Sequence, residues 1–373
     1  MNQILIAGGG LAGSAAAIAL ARAGRKVTLI EREAAPAHKI CGEFLSIEAQ
    51  SYLAETGLDL AALGAAPITH VRFVRGGSST VAKLPFQGLS LTRKTLDEAL
   101  LNAAAQAGVD VRRGHAVRHI SAAGGALSVA MDGGARLSPQ ILLLASGKHE
   151  IRGAARLARP GTLVGFKTYF NLRPEAIAAL ASHVELIIFS GGFYAGLQMV
   201  EGGLANLCLL VPTALLARVG GKFPALLAHL QSLSPHLAGR LAGATDHLSV
   251  PLSIARVPYG FVYRPDAQDP PGLFRLGDQA AVIPSFSGDG MAIALHSAAR
   301  AAEAVLAGRP APAYHQQLRA DVAAQIKRGM VIQNLCARPL INAVLPGLVR
   351  LVPAILPLAA SLTRVPAAAR LYT

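Results

Sequence analysis

The stretch LIAGGGLAGSAAAIALARAGRKVTLIERE, residues 5–33, decides how this chain folds. Gln3 to Ala7 is a short apolar run that reads as a buried strand. Gly8, Gly10 and Gly13 follow on a G-x-G-x-x-G spacing. Leu11 to Ala23 reads as an alanine-rich helix ended by Gly24, and Lys26 to Ile30 as a second strand with Glu31 at its end. Each glycine has a reason: a tight turn, close approach of backbone to a pyrophosphate, and close packing of helix on sheet. The helix start offers N–H groups and the positive end of its dipole to phosphates. Glu31 is placed to accept hydrogen bonds from an adenosine ribose. Small residues at this spacing also serve plain helix–strand packing, and the stretch by itself leaves FAD and NAD both open.

The whole chain narrows the field. Its 373 residues can bury a sizeable core in one large or two intimately joined domains. Hydrophobic residues make up 52% and charged ones 15%, which suits a globular protein with a greasy surface or a greasy ligand. Cys41, Cys208 and Cys336 are too few and too scattered for a disulfide scaffold or a zinc site, so no metal is expected. The first residues already read as a strand, without a charged leader and cleavage site, so the expected location is cytoplasmic. The net charge of +14 is spread along a chain without tryptophan, which disfavours nucleic acid as a partner. Anionic ligands (FAD, NADPH, a carboxylate or thioester substrate) and an anionic membrane surface fit that charge better. Val322 to Thr373 carries six Lys or Arg and no acid.

Further along, APAHKICGEFLSIEAQSYL reads as a loop and a helix, and THVRFVRGGSSTVAKLPF as a strand pair around a Gly-Gly turn. SLTRKTLDEALLNAAAQAGVDVRRGHAVRHI predicts an amphipathic helix and then strands. GALSVAMDGGARLSPQILLLASG predicts a hairpin leading to a buried strand at Ile141 to Ala145. Gly161 to Pro212 holds several strand-like runs and a helix near Arg173 to Ala181. A nucleotide-binding front, a mixed strand region and a late strand–loop–helix describe a dinucleotide domain interrupted by a substrate domain.

The late segment, RLGDQAAVIPSFSGDGM at residues 275–291, separates the two cofactors. Asp278, after a strand and a glycine, is placed to accept hydrogen bonds from an extended polyol, which NAD lacks. Gly288, Gly290 and Met291 open the next helix, whose N–H groups stabilise negative charge on the N1–C2=O edge of a reduced flavin. A capped helix after a turn is the plainer reading of the same residues.

With both segments in view, the chain resembles the p-hydroxybenzoate-hydroxylase-like flavoproteins, the group A flavin monooxygenases, and within them the geranylgeranyl-reductase-like branch. Motif order is similar over about residues 1 to 310. The resemblance assigns FAD contacts to Gly8, Gly10, Ala12, Gly13, Glu31 and Arg32 in the ADP-binding segment. KICGEFLS is similar to a Lys-x-Cys-Gly segment near the flavin, at Lys39, Cys41 and Gly42. LTRKTLDEAL resembles an Arg-x-x-Leu-Asp-x-x-Leu helix whose arginine, Arg93, contacts FAD. Val117 matches a position whose backbone meets the adenine, and Asp278, Gly288, Gly290 and Met291 match the ribityl and pyrimidine contacts.

The implied fold is α/β: a Rossmann-like FAD-binding domain (residues 1–68, 93–160 and 255–325), interrupted by a mixed β-sheet substrate domain (69–92 and 161–254), with a helical C-terminal tail (326–373). The implied cofactor is non-covalent FAD, with NAD(P)H or a reduced carrier as electron donor. The implied activity is a monooxygenase acting on a hydrophobic aromatic, polyketide or lipid-like substrate through a flavin C4a-hydroperoxide. An oxygen-independent reductase of C=C bonds in an isoprenoid or lipid is the alternative, and a flavoprotein that only binds a partner is a third class.

This chain departs from the family pattern in three places. The mid-chain Asp-Gly motif is Ser146-Gly147, the proline position before the last glycines holds Ser285 with Pro284 one step earlier, and the missing tryptophan disfavours a halogenase.

The middle segment offers Lys167, Tyr169, Tyr194, Gln198, Tyr259 and Tyr263 as polar groups for a ligand, set among apolar neighbours that suit a lipidic molecule. Cys41, Lys167 and Tyr194 are the catalytic candidates. Cys41 reads equally as a small buried hydrophobe, and His38, His115 and His149 read as solvated or packing histidines. PLINAVLPGLVRLVPAILPLAASLTRV, residues 339–365, is long enough for a membrane span, but Arg350, Pro346, Pro353 and Pro357 oppose one. A packed lid over the substrate pocket and a patch lying on an anionic membrane remain as alternatives.

Overall fold

A computed structural model describes residues 4–158, 161–266 and 269–372. Gln3, Thr373 and the segment boundary expected at residue 160 lie outside the described residues.

Five strands form a parallel sheet in the order Leu273–Arg275, Ile141–Leu144, Ile4–Ala7, Val27–Glu31, Asp110–Arg113. Every residue of Ile4–Ala7 is buried, because a central parallel strand is covered on both faces. The helices Leu11–Arg22, Arg93–Gln106 and Gly290–Leu306 contribute to the larger core. A second cluster includes residues of a three-stranded sheet, Val117–Ala123, Ala126–Met131 and Arg136–Leu137. The second strand runs one residue later than the spacing predicts, Val27–Glu31 rather than Lys26 to Ile30. The reason lies in the neighbouring strand, which pairs Glu31 with Arg113. Strand order reverses between Ile4–Ala7 and Ile141–Leu144, so the chain leaves a crevice beyond their carboxyl ends, where open α/β sheets take ligands.

A nine-stranded mixed sheet stands beside it. Its main path is Thr245–Asp246, Leu163–Asn171, Ala205–Pro212, Tyr194–Met199, His183–Ile188, Ala66–Arg75, Ser78–Ser90, Phe44–Leu45, with Leu252–Ala255 also on Leu163–Asn171. Only His183–Ile188 and Ala66–Arg75 pair in parallel. The helices Phe223–Leu233 and Pro235–Arg240 bury Leu226, Leu230 and Leu237 in this sheet's own core. Phe44–Leu45 carries the loop after the second parallel strand directly into this sheet, so the two sheets share the KICGEFLS segment.

The tail is helical: Ala311–Ala337, Pro339–Leu351 and Ile355–Leu362. Pro339 and Pro353 mark the breaks, since proline cannot continue the hydrogen-bond ladder. No single helix among the described residues is long and apolar enough to cross a membrane, and the last two helical segments meet at 112°.

Candidate cofactor and substrate site

The crevice is built by glycines that admit no side chain. Gly8 has φ +113°, and a Cβ there would stand 2.4 Å from Ala145 O. A Cβ on Gly13 would stand 1.9 Å from Gly8 O, so the first helix meets the loop backbone to backbone. Gly10 differs: its nearest neighbour would be Nη2 of Arg93 at 3.2 Å, the end of a mobile side chain. The helical ladder starts with Ser14 N–H donating to Gly10 O at 2.9 Å, leaving the N–H groups of Leu11, Ala12 and Gly13 to an anion. Glu31 is buried and holds the loop, accepting from Gly9 N–H at 2.6 Å and Glu33 N–H at 3.0 Å. With Lys39, Asp97 and Leu101 it lines a shallow cleft. Arg32 points outward and pairs with Glu33 at 2.9 Å. Val117 begins its strand two residues past His115, whose N–H donates to Glu31 O at 3.2 Å.

Two cations gather at this helix start and a third stands beside Asp278. Arg93 donates to Asp97 through Nε at 2.8 Å and Nη2 at 2.9 Å, and Lys39 Nζ reaches the same carboxylate at 2.9 Å. Burial alone would raise the Asp97 pKa, but Arg93 and Lys39 outweigh it and hold it low. The third cation is Lys148, next to the Ser146-Gly147 pair. Its Nζ lies 3.2 Å from Asp278 Oδ2 and donates to Ile40 O at 3.3 Å. Burial pushes the Lys148 pKa down, yet the Asp278 carboxylate wins and raises it. The sequence reading noted the missing aspartate here and passed over the lysine beside it.

Glu43 is the other group that reading missed. It is fully buried at φ +61°, and its Oε1 accepts from Arg93 N–H at 2.7 Å and Tyr169 O–H at 2.8 Å and pairs with Lys167. Burial raises the Glu43 pKa against the pull of Lys167, and Oε2 has no hydrogen-bond partner. Lys167 is fully buried and also donates to Lys39 O at 3.0 Å, so it ties the substrate sheet to the loop. His38 Nδ1 lies 3.0 Å from the Tyr169 hydroxyl, and burial with Lys167 and Lys94 takes its pKa down to about 4. Gln198 and Asn206 donate to Gly42 O at 2.9 and 3.0 Å, and the space around Gly42 is clear for 4 Å where a Cβ would stand. Cys41 Sγ, half-buried, accepts from Glu43 N–H at 3.4 Å.

On the far side, Gly288 has φ +69°, and a Cβ would press 2.8 Å from the Phe44 ring. Gly290 and buried Met291 open the long helix after Asp289. Asp289 is fully buried, accepts from Ser46 O–H at 3.0 Å and meets Arg364 at 3.1 Å. Burial dominates its pKa and lifts it to about 7. Arg364 also donates to Ser287 O at 2.9 Å, so the end of the tail is fastened beneath the glycine loop.

Tyr194, Tyr259 and Cys208 draw together near Ser285: the Tyr259 and Ser285 hydroxyls are 2.7 Å apart, and Tyr194 stacks edge-on to Phe286 at 6.5 Å. Burial raises all three of their pKa values, that of Cys208 to about 11. Tyr263 stands apart, donating to Asp269 at 2.7 Å under the Arg275 guanidinium. His115 and His149 are both exposed at the surface, and partial desolvation with Arg32 lowers the His149 pKa.

Residues 1–161 match the family described as FAD binding domain. This part of the chain is an FAD-binding domain. Two curated relatives align over a shorter stretch. Squalene epoxidase 5 of Arabidopsis thaliana is 36% identical over 86 residues, 22% of this chain and 17% of its own length. Squalene monooxygenase 1,2 of Brassica napus is 37% identical over 85 residues, 22% of this chain and 16% of its own length. The alignment thus spans about a sixth of the curated relatives' length. Around the FAD-binding domain, the whole architecture recurs in solved structures. The flavin-dependent brominase Bmp2 is 19% identical with a TM-score of 0.75, over 94% of this chain and 93% of that one. The myxobacterial chondrochloren halogenase CndH is 21% identical with a TM-score of 0.73, over 90% and 82%. PqsL of P. aeruginosa, in complex with 2-aminobenzoylacetate, is 17% identical with a TM-score of 0.71, over 90% and 95%. At these identities the likeness is one of fold.

Proposed function

We propose that this chain is an FAD-dependent monooxygenase of a hydrophobic small molecule, aromatic, polyketide or lipid-like, with FAD held non-covalently and NAD(P)H or a reduced carrier as donor. The observation that carries the reading is a cationic glycine crevice that shares one loop, Lys39 to Leu45, with a largely apolar sheet. In this reading the FAD domain comprises residues 1–68, 93–160 and 255–325, the substrate domain 69–92 and 161–254, and the tail the remainder.

The residues present fit the cofactor. Open N–H groups at Leu11–Gly13 and the cations Lys39, Arg93 and Lys148 suit a pyrophosphate. Glu31 has ribose-binding chemistry and Asp278 polyol-binding chemistry, and Lys148 would exchange part of its hold on Asp278 for a ligand. Gly42 and Gly290 leave backbone open where a flat ring must approach. Bound FAD supplies two-electron chemistry, passing electrons to O2 for oxygenation or a hydride to an acceptor. The chain's own part is to bind, orient and exclude water. Tyr194, Tyr259 and Ser285 offer hydroxyls to a substrate in apolar surroundings, and burial keeps both phenols protonated as donors. Lys167, closed off by Glu43, positions the Lys39–Leu45 loop. The squalene in the names of the two curated relatives is a hydrophobic small molecule, in line with this sheet.

The alternative, a reductase of lipid C=C bonds, draws on Lys148 standing beside the position of the absent Asp-Gly aspartate. The protein's FAD-loaded form, reduced anaerobically and then mixed rapidly with O2, separates the two. Oxygenation predicts a transient near-ultraviolet absorbance before oxidised flavin returns. Direct reoxidation with stoichiometric peroxide, together with anaerobic alkene reduction, would select the reductase.

A further inference from the structure

The tail presents two different faces. Inward, Leu356 and Ala360 pack on Ile68, Val71, Ala82 and Leu84 of the large sheet, and buried Asn342 accepts from Arg75 Nε at 2.8 Å. Outward it is apolar. Among the described residues, nine of the fifteen exposed large hydrophobic side chains lie between Val331 and Leu362. Leu340, Val344, Leu348 and Leu351 recur at helical spacing along one side of Pro339–Leu351, and Leu358 and Leu362 continue the surface on the next helix. Leu340 and Leu351 are 84% and 81% exposed, so nothing among the described residues covers them.

Charge identifies the cover. Arg338 and Arg350 are exposed within this surface, Lys327 and Arg328 are exposed on Ala311–Ala337, where Arg328 donates to Leu362 O at 3.4 Å, and no acid follows Asp321. A second copy of the chain would set this positive surface against itself. An anionic bilayer complements both its charge and its apolarity. Geometry makes the contact interfacial: the helix Pro339–Leu351 is about 20 Å long at 1.5 Å per residue, short of the hydrocarbon thickness, and the next segment turns away by 112°.

We infer that the outer face of Pro339–Leu362 lies on anionic membrane, with Leu340, Val344, Leu351 and Leu358 in the acyl–headgroup boundary and Arg338 and Arg350 at the lipid phosphates. The inner face remains a cover on the substrate sheet, so the two alternatives read from the sequence are two sides of one hairpin. The inference is independent of whether the flavin oxygenates or reduces.

Flotation of the full FAD-loaded chain with phosphatidylcholine vesicles, with and without phosphatidylglycerol, tests it. Binding is expected to the phosphatidylglycerol vesicles, to weaken in high salt, and to be lost in L340E/L351E. R338Q/R350Q should bind about fivefold more weakly per charge removed. Both pairs are on exposed positions, so melting temperature and flavin content should match the parent and show that any loss is not misfolding. No flotation by the parent protein, binding indifferent to phosphatidylglycerol and salt, or a dimer in light scattering that L340E/L351E dissolves would each overturn it.

Discussion

Gly10, the N-cap of the first helix, and Gly13, in its first turn, should answer an added side chain in opposite ways. At Gly13 the new carbon meets a fixed carbonyl at 1.9 Å, so Gly13→Ala should give insoluble or strongly destabilised protein. At Gly10 it meets only the tip of Arg93 at 3.2 Å, so Gly10→Val should fold and melt near the parent while releasing no flavin on acid precipitation. Glu185 carries a pH prediction. It is buried against Arg72, His236 at 2.7 Å and Arg240 at 2.8 Å. Burial would raise its pKa, but His236 and Arg240 outweigh it and take it from 4.5 to about 2. A depressed carboxylate stabilises the fold above its unfolded pKa, and that stability fades as pH falls from about 4.5 toward 2. The shift is worth on the order of 3 kcal/mol. Urea titrations of Glu185→Gln should therefore be weaker than the parent at neutral pH, with the gap closing in acid; an unchanged gap at low pH would refute the assignment.

Among elements, the junction of the tail with the Ser285–Gly290 loop is the one most open to test. Arg364 is the cation beside fully buried Asp289 and also holds Ser287 O. Arg364→Met removes the cation that lowers the Asp289 pKa, so the buried acid should take up a proton at neutral pH and the tie to Ser287 O is lost. Both the melting temperature and FAD retention should drop, and loss of one without the other would separate tail from loop. None of this was legible in the sequence. Asp289 and Arg364 are 75 residues apart with no local pattern between them. Glu43 was hidden for the same reason, since its partner Lys167 comes from Leu163–Asn171, far along the chain. The first strand–turn–helix–strand was legible because its spacing is local and each glycine meets a backbone constraint a few residues away.

At the scale of the whole molecule, the interrupted α/β architecture could be read from element order, whereas the helices between residues 213 and 240 could not. They are short, and only Pro235–Arg240 among them has a side-chain cap, Ser234, so no periodic run is long enough to announce them. The nine-stranded sheet also begins earlier than the sequence suggests, at Phe44, because a two-residue strand leaves no periodic signal. Central to the account is that FAD sits at the crevice between the Gly8–Gly13 loop, the three cations and Asp278. The most direct measurement is the flavin released by acid from purified parent, Gly10→Val and Asp278→Ala proteins, each first shown to be folded by its melting transition. The account predicts one FAD per parent chain, none in Gly10→Val and a reduced fraction in Asp278→Ala. A folded Gly10→Val protein carrying the parent's full complement of FAD would contradict it.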